Sequence, residues 1–434
     1  MKTAYIKKFQ RAHKFASPSS GIHSPFNSLQ KISKIQQMQG LLDSIAVPKN
    51  YRIQETIGHI IDSYQEKNPF YVVHLDNLEY QFDRWMQLLP NVKPFYAIKS
   101  NPDRKILQVL REFGAGFDCA SQKEIEEVLA LGVSSKNIIF ANPVKAVSHL
   151  EFAACVGVEV VTADSTSELV KIAQHHPEAK VLIRMKPDDS NSICKFSTKF
   201  GATEEEAKEI IGLAARLGVN IIGTSFHVGS GCQSAQTFVD IIKTCSNVFK
   251  FGAIYGFKMR LLDIGGGFPG MNAVHAGDSF ETMAMHINGS IERDFRAFPD
   301  LEVIAEPGRY FSSSAFSLVT SVVGKKHFKT DGGEKGFKYY IDEGVYGGFN
   351  CIIFDHYSPP LEILNPREST ASYESTVFGP TCDSMDKVGE MRLPELEIGD
   401  RLFVESFGAY TSTSSSVFNG FGNLKRYYTY KCNE

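Results

Sequence analysis

The sequence contains no apolar run approaching ~18 residues, so nothing in it is long enough to cross a bilayer as a helix. It contains no Cys-x-x-Cys pair. Its eight cysteines, at 119, 155, 194, 232, 245, 351, 382 and 432, are scattered. That spacing argues against a disulfide framework or a zinc site, and for reduced thiols in a soluble, intracellular (cytoplasmic) protein without metal. It has little net charge, formally −3, and therefore no electrostatic case for nucleic acid or an anionic membrane as partner. Asp and Glu are missing from residues 1–42, which carry Lys2, Lys7, Lys8, Arg11 and Lys14 ahead of Ser17-Pro-Ser-Ser20. No apolar core follows that basic start, and it holds one arginine, so a flexible basic leader is expected in preference to a secretory signal or transit peptide. No internal repeat is seen beyond the alternation described next.

What is present is ordinary for a globular enzyme of two or three domains: 434 residues, 43% hydrophobic and 22% charged. From Phe70 onward strand and helix patterns alternate. Apolar β-rich runs open near Phe95, Phe117, Ile138, Val160, Val181, Ile221, Leu261 and Val303. Between them lie helical-period segments at Asp103–Phe113, Gln122–Leu131, Thr166–His176, Glu204–Leu217 and Phe280–Phe298, several ending at glycines 114, 132 and 218. Eight such units predict a closed (β/α)8 TIM-type barrel over residues 67–315. Beyond Ser312 come short β-rich pieces, Phe316–Val323, Phe337–Ile341, Cys351–Phe354, Ser375–Phe378 and Arg401–Val404, which predict an all-β domain over 316–434. That domain has few strands of its own, so part of residues 1–66 is expected to join it.

The predicted strands end in polar residues: Lys99, then Asp118 and Ser121, Asn142, Asp164, Arg184, His227, Gly265-Gly266-Gly267, and Glu306 with Arg309 beyond. In a barrel these ends converge on one face, where catalytic groups sit. Alone, Lys99 reads as a lysine snorkelling to water from a strand end; within the ring it reads as a Schiff-base lysine of depressed pKa. The three glycines follow strand seven, where barrels recurrently bind phosphate, and Arg309 and the His227-Val-Gly-Ser230-Gly231 turn add two phosphate-compatible elements. A phosphate opposite a strand-end lysine suggests pyridoxal 5′-phosphate. Glu306 would then keep the pyridine nitrogen protonated, and His227 could stack on the ring.

Six motifs occur in order: Ala97-Ile-Lys-Ser-Asn101, Phe226-His-Val-Gly-Ser-Gly231, Asp263-Ile-Gly-Gly-Gly-Phe268, Ala305-Glu-Pro-Gly-Arg-Tyr310, Gly379-Pro-Thr-Cys-Asp-Ser-Met-Asp386 and Gly408-Ala-Tyr-Thr411. Together they resemble the eukaryotic-type ornithine decarboxylases, pyridoxal-phosphate enzymes of the alanine-racemase-like barrel class, from about Phe70 to Gly422. The resemblance implies a homodimer with active sites shared between subunits, decarboxylation of ornithine to putrescine and CO2, and a small diamino-acid substrate. It assigns the Schiff base to Lys99, the ring nitrogen to Glu306, ring stacking to His227, and phosphate binding to Ser230, Gly265, Gly266, Gly267, Arg309 and Tyr410. Pro307 and Gly308 lie in the same cofactor motif, and Asp118 and Arg184 support the site. Cys382 matches a thiol that the partner subunit contributes to protonate the product at Cα. Asp355 and Asp383 match the acids that hold the distal ammonium, with Phe354 and Phe418 beside them. Lys199, Asp386 and Tyr346 match interface residues, the first two as a pair bridging the subunits.

The sequence departs from the family pattern at Ser100 (often Cys), Phe354 (often Tyr), Asp342-Glu343 (often Asn-Asp), Phe378 and Ser406-Phe407, none of them a catalytic group. It also lacks the long acidic tail of some relatives, so turnover through such a tail is not expected. Two other readings are weighed. A lysine or diaminopimelate decarboxylase is one, the latter disfavoured because Asp355 and Asp383 would repel a distal carboxylate. A catalytically inactive regulatory homologue is the other, disfavoured by the retained Lys99, Asp118, Arg184 and Cys382. A regulatory protein partner is not excluded.

Overall fold

The computed structural model describes residues 34–38, 42–271, 277–367 and 371–432, and the basic start of the chain lies outside them. Eight parallel strands close a barrel in chain order: Val92–Ala97, Gly116–Cys119, Ile138–Phe140, Val160–Ala163, Lys180–Met185, Asn220–Phe226, Leu261–Asp263 and Glu302–Ala305. The eighth pairs back onto the first, Val303 opposite Val92 and Ala305 opposite Pro94. These are the eight expected runs. Their near-continuous apolar character follows from burial on both faces. Outward side chains meet the helices, while Phe95, Ile139, Leu182, Ile222, Leu261 and Ile304 pack inside the barrel. Gly116 makes room for one of them, since a Cβ there would lie 2.5 Å from the Phe95 ring.

Seven helices connect consecutive strands: Arg104–Phe113, Gln122–Ala130, Val147–Val156, Thr166–His175, Glu204–Leu217, Ala235–Ile254 and Phe280–Asp294. Side chains of Asp103, Ser121, Ser165, Thr203, Ser234 and Ser279 accept first-turn N–H groups, which sets where six of them begin. The last helix stops short of the expected Phe298, because Phe298 precedes Pro299 and Phe295 turns inward against the Phe249 ring. The remaining gap in the helical ring is filled by Leu75–Leu88, which precedes the barrel. Its Trp85 packs on Phe268, Phe280 and Tyr310 and donates its indole N–H to the Val92 carbonyl at 2.8 Å.

The second unit is a nine-stranded sheet. Its main path runs Ile45–Pro48, Lys425–Cys432, Phe70–His74, Phe316–Lys329, Lys335–Ile341, Tyr373–Phe378 and Lys387–Leu393; Arg401–Val404 also pairs with Phe316–Lys329, and Glu362–Ile363 pairs with Arg401–Val404. Phe70–His74 had been expected inside the barrel segment. It is a sheet strand instead, antiparallel to Phe316–Val319 and parallel to Lys425–Thr429. Its fully apolar run is the pattern of any strand buried on both faces and does not name its sheet. Cys351–Phe354, expected as strand, is a short helix. The Asn350 amide ties Gly347 O at 2.5 Å and Thr411 O at 2.6 Å and curls the chain there, and four apolar residues carry no periodicity to distinguish the two.

Candidate active site

Lys99 lies in a single 3₁₀ turn, Ile98–Ser100, at the C-terminal end of the first barrel strand. The turn is pinned from several sides. Tyr96 donates its hydroxyl to Asn101 O at 2.9 Å, and the Ser100 hydroxyl lies 2.6 Å from that of Ser312. From the sheet unit, Tyr410 N–H donates to Ser100 O at 2.9 Å and the Thr413 hydroxyl to Lys99 O at 3.4 Å. The Lys99 side chain keeps 39% of its surface open to the barrel mouth, and its Nζ meets Asp118 Oδ2 at 2.5 Å.

The expected depressed pKa of Lys99 is not what the free chain shows. Burial pulls the ammonium down, but the carboxylates of Asp118 and Glu306 more than offset it, and Lys99 stands above the ordinary lysine value. An aldehyde arriving here meets a strongly held ammonium whose proton must leave before the amine can attack, and Asp118 is the group in contact with that proton.

Around the same mouth lie the ends of strands six to eight, the eighth directly beside strand one. His227 accepts the Gly229 amide through Nδ1 at 3.0 Å, so its ring proton sits on Nε2. Burial, then Arg184 and Lys99, hold this imidazole well below the usual histidine range and keep it neutral. Phe196 packs edge-on to the ring, 4.9 Å between centroids. The Gly265–Gly267 turn tolerates no side chains: a Cβ would stand 1.9 Å from Phe226 O at Gly265 and 2.5 Å from Val228 Cγ2 at Gly267. At Gly266 it would stand 2.8 Å from both His227 Nε2 and Glu306 O. Gly308 is similarly close to Ser100, and Pro307 O accepts the Ala97 amide at 3.3 Å. Arg309 reaches the Ser230 hydroxyl at 3.1 Å and lies over the Tyr410 ring, 5.1 Å from its centroid. The same guanidinium binds both Asp355 oxygens, at 2.7 and 2.8 Å.

Glu306 is buried beside two further acids, Asp118 and Asp263, with Lys99 and Arg184 facing them. Burial and then the neighbouring carboxylates push Glu306 upward. Asp118 Oδ1, Asp263 Oδ2, Thr224 Oγ1 and Ser225 Oγ are buried without a protein partner. Asp263 and Glu124 were not among the expected site residues. Glu124 accepts the Ala120 amide at 2.5 Å and is raised by burial and by Asp118. Asp263 opens the glycine motif and could have been found as another polar strand end; Glu124 sits inside a helix and carries no such signal.

The remaining expected residues do not meet Lys99 in the same chain. Cys382 is exposed, and its amide donates to Asn419 Oδ1 at 3.0 Å. Asp383 accepts the Tyr346 hydroxyl, and the Tyr346 ring packs on Phe418 at 4.6 Å. Phe354 is 69% exposed. No hydrogen bond or ion pair among the described residues joins this group to Lys99, Arg309 or Asp355. Lys199 is exposed, its ammonium 4.9 Å from the Phe200 ring centroid. Asp386, expected to pair with Lys199 between subunits, is 1% exposed. Its carboxylate accepts Val345 N–H, Thr381 N–H and the Thr381 hydroxyl at 2.8, 2.9 and 2.7 Å. Within its own chain it therefore shapes the loop that carries Tyr346 and Cys382.

A strand-end lysine, a neutral imidazole, a buried acid and a glycine cradle with an arginine, on one mouth of a barrel, define a site for an aldehyde cofactor bearing a phosphate. The unpartnered oxygens and the side-chain-free cradle fit pyridoxal phosphate. The comparisons agree. Residues 75–313 match the family described as pyridoxal-dependent decarboxylase, pyridoxal binding domain. The chain is 42% identical to the ornithine decarboxylase of Mus pahari over 379 residues, 85% of this chain and 82% of that one. It is also 42% identical to antizyme inhibitor 2 of Xenopus laevis over 381 residues, again 85% and 82%. Among solved structures, the arginine decarboxylase of Paramecium bursaria Chlorella virus superposes with a TM-score of 0.81 at 36% identity, covering 87% of this chain and all of that one. The chain belongs to the pyridoxal-dependent decarboxylases of the ornithine decarboxylase type, and its cofactor is pyridoxal phosphate.

Gly266→Ala tests the cradle. Forcing a methyl into a closed contact costs about 1–3 kcal/mol, so affinity for pyridoxal phosphate should fall roughly tenfold or more while the barrel stays folded. Fluorescence titration of the apoprotein measures this; unchanged affinity would remove the glycine turn from the phosphate site.

Proposed function

We propose that this protein removes the α-carboxylate of ornithine as CO2 and releases putrescine, a step of polyamine biosynthesis, in the cytoplasm and as a homodimer with shared sites. The observation that carries the reading is the placement of Lys99 and Asp118 on one barrel mouth with Glu306, His227 and the glycine cradle. When bound, pyridoxal phosphate supplies an electron sink for the pair left behind as CO2 departs. Lys99 supplies the amine that would hold the cofactor and give way to the substrate amine, with Asp118 taking and returning the ammonium proton. Ser230, Gly265 to Gly267, Arg309 and Tyr410 hold the phosphate, Pro307 and Gly308 shape the turn leading to Arg309, and Arg184 faces the acids from strand five. Glu306 keeps a proton at the ring nitrogen, and neutral His227 covers a ring face without adding charge.

The substrate class follows from the acids at the far end. Asp355 lies at the rim beside Arg309, and Asp383 would come from the partner subunit together with Cys382, which protonates Cα. Two carboxylates there favour a distal ammonium and exclude a distal carboxylate. Support for the shared site is the exposure of Cys382 in a loop whose surroundings are unusually apolar for a surface. Met385 is 71%, Val417 65% and Phe418 43% exposed, and Phe354, beside Asp355, is 69% exposed. Association of two copies would bury these residues, with Tyr346 and Lys199 alongside. Eight cysteines without a disulfide suit a reducing compartment.

Lysine is the second reading, since one methylene in a pocket is worth only about 1–3 kcal/mol and a lysine decarboxylase of Selenomonas ruminantium has the same fold (TM-score 0.79, 36% identity over 87% of this chain and 96% of that one). CO2 release from ornithine, lysine and arginine, with and without pyridoxal phosphate, decides. Ornithine is expected to be turned over fastest and only with cofactor. Release from none of the three would leave a regulatory, non-catalytic protein.

A further inference from the structure

Strand seven ends at Asp263, to which the functions above give no task. Its side chain is wholly buried. Oδ1 accepts the Gly265 amide at 2.9 Å. Oδ2 has no protein donor, and the carboxyl of Glu306, whose backbone N–H donates to Gly265 O at 2.6 Å, is near enough to act on Asp263 as a hydrogen-bonding neighbour. Two ionised carboxylates are acceptors only. Placed in contact inside a barrel they repel, and the contact becomes a bond only when a proton lies between them.

The surrounding charges balance on the same condition. The groups facing the pair are Asp118 from strand two, Lys99 after strand one and Arg184 on strand five, together with two neutral groups, His227 after strand six and the Cys245 thiol on helix Ala235–Ile254. Three carboxylates against Lys99 and Arg184 leave one uncompensated negative charge in a buried cluster. One proton on the Asp263–Glu306 pair removes it. Burial pushes both carboxyls upward, and the charge of Asp263 adds to the rise at Glu306, in the direction that retains this proton.

We infer that Asp263 and Glu306 share a single proton, and that Asp263 is the positioning residue that presents Glu306 to the cofactor's ring nitrogen. The Gly265 amide fixes one Asp263 oxygen and leaves the other for Glu306, so the glycine turn also sets the geometry of the carboxyl pair. Glu306 N–H donating to Gly265 O at 2.6 Å closes the frame. The role toward the ring nitrogen rests on the function proposed above; the shared proton does not.

Asp263→Asn separates this from a structural role. The amide keeps an oxygen for Gly265 N–H and offers an N–H to Glu306, reproducing the hydrogen bond and charge of the singly protonated pair with one titratable carboxyl fewer. Asp263→Leu offers neither. In the wild-type apoprotein the pair binds a proton that the unfolded chain has released, so thermal stability should fall as pH rises from about 5 to 8. Asp263→Asn should flatten that fall by one proton's slope. Pyridoxal phosphate should bind Asp263→Asn within about threefold of wild type, and Asp263→Leu at least about tenfold more weakly. A wild-type pH slope in Asp263→Asn, or affinity as weak as that of Asp263→Leu, overturns the inference. If Asp263→Leu does not fold, the comparison of Asp263→Asn with wild type decides alone, tenfold weaker binding counting against. Should wild type bind no pyridoxal phosphate, the functional reading falls while the apoprotein pH slope still decides whether the proton is shared.

Discussion

Lys99→Ala is expected to lower decarboxylation by at least about 10⁴-fold with the fold intact. The amine is held where its nucleophilic atom is already oriented, and such intramolecular positioning is worth effective concentrations on the order of 10⁵–10⁸ M. Three contacts fix it: Asp118 at Nζ, and Tyr410 and Thr413 on the backbone of its turn. Alanine keeps the turn and deletes the amine. It also leaves Asp118, whose side chain is 0% exposed, short of its cation. Stranding one partner of a fully buried pair costs roughly 3–5 kcal/mol, and the 39% exposure of Lys99 places the loss below that range. Single-turnover CO2 release measures the chemistry, and a melting curve shows whether the protein survived. Activity within tenfold of wild type in folded Lys99→Ala would remove Lys99 from the reaction.

The second large effect concerns a residue that contacts nothing at its own barrel mouth. Cys382→Ala is expected to slow correct product formation about 10²–10⁴-fold, the usual contribution of a positioned proton donor, without weakening pyridoxal phosphate binding. If each site takes its lysine from one subunit and its thiol from the other, the two inactive proteins complement each other. Random exchange of Lys99→Ala with Cys382→Ala makes half the dimers mixed, each with one complete site of two, so about a quarter of wild-type activity should return. A mixture that has demonstrably exchanged subunits and stays inactive shows that lysine and thiol belong to the same chain.

Much of this architecture was legible in the sequence, for stated reasons. The eight barrel strands are buried on both faces and read as apolar runs, and six of the seven helices between them open on Ser, Thr or Asp caps, while three stop at glycines in left-handed conformation, Gly114, Gly157 and Gly218. Strand order in such a barrel follows chain order, so counting strands predicts which side chains share a mouth. Strand order alone therefore places Lys99, Asp118, His227, the glycine turn, Glu306 and Arg309 on one mouth.

The sheet unit was less legible because its partners are far apart in the chain. Phe70–His74 lies between Phe316–Lys329 and Lys425–Cys432, and Ile45–Pro48 forms the sheet's edge. Pairings of that range are set by distant segments, and Lys425–Cys432, Lys-Arg-Tyr-Tyr-Thr-Tyr-Lys-Cys, carries no polar–apolar alternation that marks it as a strand.

What the sequence by itself determined is the inventory of the site and its place on the barrel, since each group is set by its own strand end. Only the tertiary structure decided the charge state of that inventory. Lys99 was expected with a depressed pKa and is raised, because Asp118 and Glu306 face it. Asp386, expected at a subunit interface, accepts from Thr381 and Val345 within its own chain. Asp263 had no expected role and lies against Glu306 with one oxygen lacking a donor. Protonation depends on which charges surround a group and how far water is excluded, and both are properties of the packed fold and not of any stretch of chain.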